Sequence, residues 1–293
     1  MSAANALQLL VAAITLGAVY GLVALGFVTI YRCSGVVNFA QGEFAMLGAL
    51  MTIYLLKVGT LPYPASAVLA VVFVVLVGVL VHQLVVAPLR RASLLSLIMA
   101  TLGVSLFVQN AALVAWGPRG AALPAFSGSE PIRFGEVAIV PQSLWVIAMA
   151  VVVLVALYLL NNRTTFGKKM TATATQPLAA GLVGISTGSM IRWSFAISSA
   201  VGALAGLFLA AMVPMNFASG TSFGLKGFIA AVLGGWGKAS GAMVGGLALG
   251  IIETYAAGFL PTGYKDAISF LVLILILYYR PSGIMGASLA EAE

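Results

Sequence analysis

Apolar runs of about 20 residues recur along this chain, and they constrain its fold more than any other feature. In hydrocarbon every backbone N–H and C=O must find a partner within the chain, so only helices and closed barrels span a bilayer. Unbroken runs, rather than alternating apolar and polar residues, select helices. Composition agrees: 62% of residues are hydrophobic and 7% charged, against roughly 45–50% and 25% in a soluble domain. The sequence therefore predicts an all-α polytopic membrane protein with a single transmembrane domain over residues 1–293.

The predicted spans are 6–30, 36–56, 65–87, 93–116, 143–160, 193–213, 242–259 and 267–279, about eight transmembrane helices. One further apolar piece, 228–233 within 224–237, is too short for an ordinary crossing and reads as a short, broken or re-entrant helix. No Lys or Arg precedes the first run, so it reads as a retained span and not a cleaved signal. If every run through residue 213 crosses once, Arg32, Arg90, Arg91, Arg163, Lys168, Lys169 and Arg192 share one face, which the positive-inside rule makes cytoplasmic. The N-terminus is then outside. If 224–237 also crosses, Lys238 and Arg280 join the cytoplasmic face and the C-terminus is inside. The net charge of +7 thus marks a membrane face and not a nucleic-acid partner.

The residues carry no catalytic, metal or cofactor constellation: no His/Cys cluster, no Walker loop, and Cys33 and His82 each stand alone. Such a chain is not an enzyme, and to move anything uphill it must borrow energy. Glu43 is costly in a helix at membrane depth, by roughly 2.5–3.5 kcal/mol, and persists where it faces a cavity or a partner. It forms a candidate translocation path with Asn38 and Gln41, or a hydrogen-bonded structural knot; Glu253 carries the same two readings. The glycines at 234, 235, 237, 241, 245 and 246 read as helix-packing notches.

Residues 161–192 interrupt the lipid-loving pattern with a long basic segment. Pro177 suits the first position of a helix and Gly184 its end, leaving about two turns. Leu178, Leu182 and Ile185 fall on one apolar face, with Ala180 elsewhere. Such a face rests on the membrane or inserts into a groove on another protein.

Gly17-Ala-Val-Tyr-Gly-Leu-Val-Ala-Leu-Gly26, Ile30-Tyr31 and Gly35-Val-Val-Asn-Phe-Ala-Gln-Gly-Glu-Phe-Ala-Met-Leu-Gly48 resemble the opening of the LivH-type permeases of branched-chain amino acid ABC importers. The likeness continues through Gly167-Lys-Lys-Met170, Ala180-Gly-Leu-Val-Gly-Ile185, Phe195 to Gly206, Val232-Leu-Gly-Gly235 and Arg280-Pro-Ser-Gly283. Gln41 stands where the family usually has His, and 171–176 is less charged than usual.

The resemblance implies a permease in the cell (inner) membrane, paired with a LivM-like second permease or a second copy. It also implies two cytoplasmic ABC ATPase subunits and an extracytoplasmic solute-binding protein. The cargo would be a branched-chain amino acid or a related small polar solute, moved by alternating access, and Pro177, Leu178, Ala180, Leu182, Gly184 and Ile185 would couple the permease to its ATPase. The competing reading is a self-sufficient secondary transporter or channel, which would need ion-coupling residues at the midplane and has only Glu43, His82 and Glu253 to supply them.

Overall fold

The computed structural model describes residues 3–90, 92–128, 130–134, 137–259, 261 and 264–286; Arg91 and Glu136 lie outside the described residues. Helix α1 (Ala3–Ser34) has 32 residues, about 48 Å at 1.5 Å per residue. It lies along α8 (Thr187–Ala210). The two run antiparallel: the Ser198 hydroxyl donates to the Gly26 carbonyl at 2.8 Å, and Cys33 near one helix's end clusters with Met190 near the other's start.

Each of these helices is followed by a break. After Ser34 the chain turns at Gly35 (φ 68°) and restarts as α2 (Gln41–Lys57). A span beginning at residue 36 was the expectation; the helix starts five residues later because the Asn38 side chain takes the Ala40 N–H at 3.2 Å, replacing helical hydrogen bonding with a local turn. After α8 the same thing happens. Asn216 Oδ1 accepts from the Ala218 N–H at 3.0 Å, and α9 (Ser219–Gly234) begins. The breaks are copies of one sequence: Asn38-Phe-Ala-Gln-Gly42 and Asn216-Phe-Ala-Ser-Gly220. The apolar piece 228–233 is therefore no isolated fragment; it is the second half of a 16-residue helix.

The repeat extends to the packing. Helix α3 (Tyr63–Val81) packs on α8, as α10 (Ala239–Phe259) packs on α1; α2 packs on α8, as α9 packs on α1. Helix α4 (Leu94–Trp116) touches α2, and α11 (Lys265–Tyr279) touches α9. With α1 and α8 antiparallel, helices α1–α4 and α8–α11 are inverted repeats, each contributing its broken helix to the other's side. Between them, α5 (Pro141–Arg163) leans on α1. The loop before α5 carries a hairpin of β1 (Ile132–Phe134) and β2 (Val137–Ile139) and pairs Ala121 with Met215.

Among the described residues six helices are long and apolar enough to cross a membrane: α1, α3, α4, α5, α8 and α10. The α3 stretch runs on through a π-helical turn, His82–Val86. Helices α2, α9 and α11 are shorter, so length and composition do not establish the expected eight. The most apolar windows of α3, α4 and α5 are each 28% buried, against 67% for α1 and 78% for α8. The apolar outer faces of the first three are those left for lipid.

The halves meet where the broken helices begin. A β-carbon on Gly42 would collide with the Gly220 carbonyl and the Gly224 backbone, neither of which can swing aside. Gly42→Ala is expected to destabilise the detergent-solubilised protein by about 1–3 kcal/mol or more. Gly103→Ala, on α4 with open space around it, is expected to leave the thermal midpoint unchanged or higher. A thermal-shift measurement of the two variants beside the parent checks both.

Candidate functional site

Two buried polar clusters and one exposed helix hold the residues singled out in the sequence. The first cluster lies at the crossing of α2 and α9. Asn38 and Gln41 are fully buried and Glu43 is 1% exposed. Gln41 is held by α8: the Ser198 hydroxyl donates to its Oε1 at 2.6 Å, and its Nε2 donates to the Ser198 carbonyl at 3.2 Å. Glu43 ties three helices together, since its Oε1 accepts from Ser105 of α4 at 2.9 Å and from Thr221 of α9 at 3.1 Å. Glu43 and Thr221 occupy the same position in the two copies of the repeat. Beside them, Thr101 of α4 accepts from the Phe39 N–H at 3.3 Å and steadies the break itself.

Glu253 is not part of this cluster. It is fully buried on α10, where Tyr20 of α1 donates to its Oε1 at 3.1 Å and Lys226 of α9 pairs with the same oxygen at 2.6 Å. Ser269 of α11 donates to Oε2 at 3.5 Å, and Lys226 also reaches the exposed Asp266 at 3.0 Å. Lys226 lies 5.6 Å from the centre of the Tyr20 ring, where the ring's negative face adds attraction. Four helices thus converge on one carboxylate. That geometry neutralises the charge within the protein and fastens the second half's last helices to α1.

The basic segment folds into two helices where one was expected. Helix α6 (Thr165–Thr175) is capped by Thr164, whose hydroxyl accepts from the Gly167 N–H at 3.0 Å, and it carries Lys168 and Lys169 on its exposed side. Helix α7 (Pro177–Leu182) is a six-residue piece opened by Pro177. It stops because Gly184 adopts φ 83°, and the Ile185 N–H turns back to the Ala180 carbonyl at 2.9 Å. The expected face of Leu178, Leu182 and Ile185 is split by this turn. Leu178 and Leu182 are 88% and 90% exposed, whereas Ile185 packs inward against Cys33, Met170 and Met190; Ala180 is buried. Val183, 76% exposed, extends the apolar surface instead.

An inverted repeat with broken helices and buried polar side chains at their crossing is the architecture of a transporter subunit. The family described as "Branched-chain amino acid transport system / permease component" matches residues 9–277. This chain belongs to that family. Among similar curated proteins, the permease is 32% identical to the high-affinity branched-chain amino acid transport system permease protein LivH of Escherichia coli, over 96% of this chain and 95% of the relative. It is also 32% identical to the permease protein BraD of Pseudomonas aeruginosa over the same shares of the two chains. A probable LivH of Methanocaldococcus jannaschii is 33% identical over 90% of this permease and 88% of the relative. No solved structure matches. The permease is thus a multi-pass membrane protein and a transporter subunit, not itself an enzyme.

Sequence reasoning missed Ser105, Ser198, Thr221 and Lys226. The signal for Thr221 was present as the second Asn-Phe-Ala-Xaa-Gly copy, which points from Glu43 to its counterpart. The buried ion pair generates a sharp prediction. Lys226→Met leaves Glu253 a charge within the bundle and is expected to cost about 3–5 kcal/mol. Lys226→Met with Glu253→Gln should recover most of that loss, and a double-mutant cycle on thermal stability reads the coupling.

Proposed function

We propose that this permease is the LivH-like half of an ATP-driven importer for branched-chain amino acids or a related small polar solute. It works with a second permease, cytoplasmic ABC ATPase subunits and an extracytoplasmic solute-binding protein. The observation that carries the reading is α7: a helix bounded by Pro177 and Gly184 with Leu178 and Leu182 almost wholly exposed. Apolar side chains so placed at the basic end of the bundle suit a groove on a partner better than water.

The proposed topology places the Arg32, Lys168, Lys169 and Arg192 end in the cytoplasm, with the N-terminus outside and the C-terminus inside. Helices α2 and α9 begin at mid-depth and reach opposite faces, so each break with its helix counts as one crossing; α11 crosses as well. In this arrangement Asn38, Gln41 and Glu43 serve the translocation path by fixing the helix break that forms its wall, and Glu253 serves it by locking α9 and α10 to α1. ATP-driven closure of the ATPases displaces α7, and the inverted halves rock about their crossing to expose the path to either side in turn.

Leu182→Asp tests the coupling. In the reconstituted complex it is expected to abolish solute-stimulated ATP hydrolysis while the permease still inserts and assembles. Unchanged stimulation overturns the role of α7, and gradient-driven uptake by the permease alone, without ATPases, overturns the importer reading.

A further inference from the structure

We propose that a cavity beside α7 binds a small carboxylate with an aliphatic body and, when filled from the cytoplasm, holds back the transport cycle. This rests on the orientation and ATPase coupling proposed above. The cavity has a volume of about 360 Å³, within the roughly 300–1,000 Å³ of small-molecule sites. On one side it is walled by Thr173 and Ala174 at the end of α6 and by Pro177, the first residue of α7. Thr187, Gly188 and Ile191 of α8 form another wall, and Ser34 and Gly35 at the end of α1 a third.

The remaining wall is the π-helical turn. There the Ala87 N–H bonds to the His82 carbonyl five residues back, at 2.8 Å, and His82, Val86 and Ala87 all line the cavity. Such widened turns are uncommon and occur frequently at functional sites. His82 is 6% exposed and its Nδ1 has no hydrogen-bond partner, an arrangement that wastes a buried polar group unless something else reaches the ring. The ring of the fully buried Phe195 lies 5.5 Å from that of His82.

Its chemistry selects the ligand class. Arg90 supplies a guanidinium and no carboxylate lines the pocket among the described residues, so the charge it favours is negative. The hydroxyls of Ser34, Thr173 and Thr187 offer further polar contacts, while Val36, Leu97 and Ile191 present an apolar wall. An aliphatic amino acid matches that combination: Arg90 faces its carboxylate, and the hydroxyl oxygens of Ser34 and Thr173, whose own protons go to the Ile30 and Lys169 carbonyls, are left to accept from its ammonium. Because the walls come from α1, the π-turn, α6, α7 and α8, an occupant bridges the coupling helix to the bundle. A ligand that prefers one separation of these walls must, by linkage, oppose the displacement of α7 that ATP drives.

The test uses the complete complex in proteoliposomes with the ATP-binding face outward and loaded solute-binding protein sealed inside. Millimolar L-leucine added outside then meets only the cytoplasmic face. It is expected to lower the stimulated ATPase rate by about fivefold or more. Arg90→Gln and His82→Leu should each raise the half-inhibiting leucine concentration by about tenfold, and Ala174→Phe, which fills the pocket, should remove the inhibition. Arg90→Gln and His82→Leu should turn over at near-parental rates without external leucine, whereas Ala174→Phe, a fixed occupant, should turn over more slowly and be insensitive to leucine. Absence of inhibition in the parent, or inhibition that survives Ala174→Phe and Arg90→Gln, overturns the proposal. So does loss of transport in all three variants without external leucine, which would make the pocket part of the cargo route. A parent complex with no binding-protein stimulation at all fails at an earlier point and removes the importer reading itself.

Discussion

The contact between Gly42 and Gly220 is the constraint on which the rest of the permease depends. Two helix starts can lie this close only with glycine on each side of the crossing: a β-carbon on Gly42 would meet the Gly220 carbonyl and the Gly224 backbone, and one on Gly220 would meet the Glu43 side chain. That approach lets α2 pass to α8 and α9 pass to α1, so that each half completes the other. In the proposed topology, the breaks after α1 and α8 would without it leave backbone polar groups at a depth where lipid offers no partner.

The same crossing explains why the repeat is broken at one position. A two-fold axis brings equivalent residues face to face, and at the positions after Gly42 and Gly220 a perfect repeat would juxtapose two carboxylates. A second carboxylate at position 221 would lie at hydrogen-bond distance from the buried Glu43, where two like charges disfavour each other's ionisation. The chain has Glu43 in one half and Thr221 in the other, and the hydroxyl donates to the carboxylate. Glu43 also falls in the first turn of α2, where a helix N-terminus favours negative charge. The carboxylate is thus supported by two hydroxyls and a helix end. Glu253 is handled in the opposite way, with Lys226 and Tyr20 in direct contact, because it lies in the body of α10 where no helix end is at hand.

How much of this was legible follows from what each feature depends on. Long apolar runs are local, so α3, α4, α5 and α10 fall close to where hydropathy puts them. The breaks are also local, but their signal is a side chain competing with the backbone, and Asn38 does not interrupt hydropathy strongly enough to move a predicted boundary. The 228–233 piece looked short because Lys226 and the glycines before it dilute the apolar signal; burial of Lys226 against Glu253 makes those residues helical all the same. Cross-chain partners such as Ser198 for Gln41, 157 residues apart, leave no trace in a single sequence. The coupling segment was legible at its ends, through Pro177 and Gly184, but not in its facing. Ile185 belongs to the apolar period, yet the positive φ at Gly184 turns it back into the bundle.

In the proposed coupling, that inward turn decides where a push on α7 goes. Ile185 packs on Met170 of α6, Met190 of α8 and Cys33 of α1, so a displacement of the short helix reaches both central helices at once, at the end where they belong to different halves. Gly26, which accepts the Ser198 hydrogen bond, is seven residues up α1 from Cys33, about 10 Å at 1.5 Å per residue. Over that distance α1 and α8 are continuous helix, stiff enough to carry a tilt without absorbing it. The load therefore arrives at the Gly42–Gly220 crossing, where a glycine contact allows sliding and the Gln41–Ser198 and Glu43–Thr221 hydrogen bonds limit it. A pivot made of backbone and bounded by side-chain hydrogen bonds favours two discrete settings over a continuum.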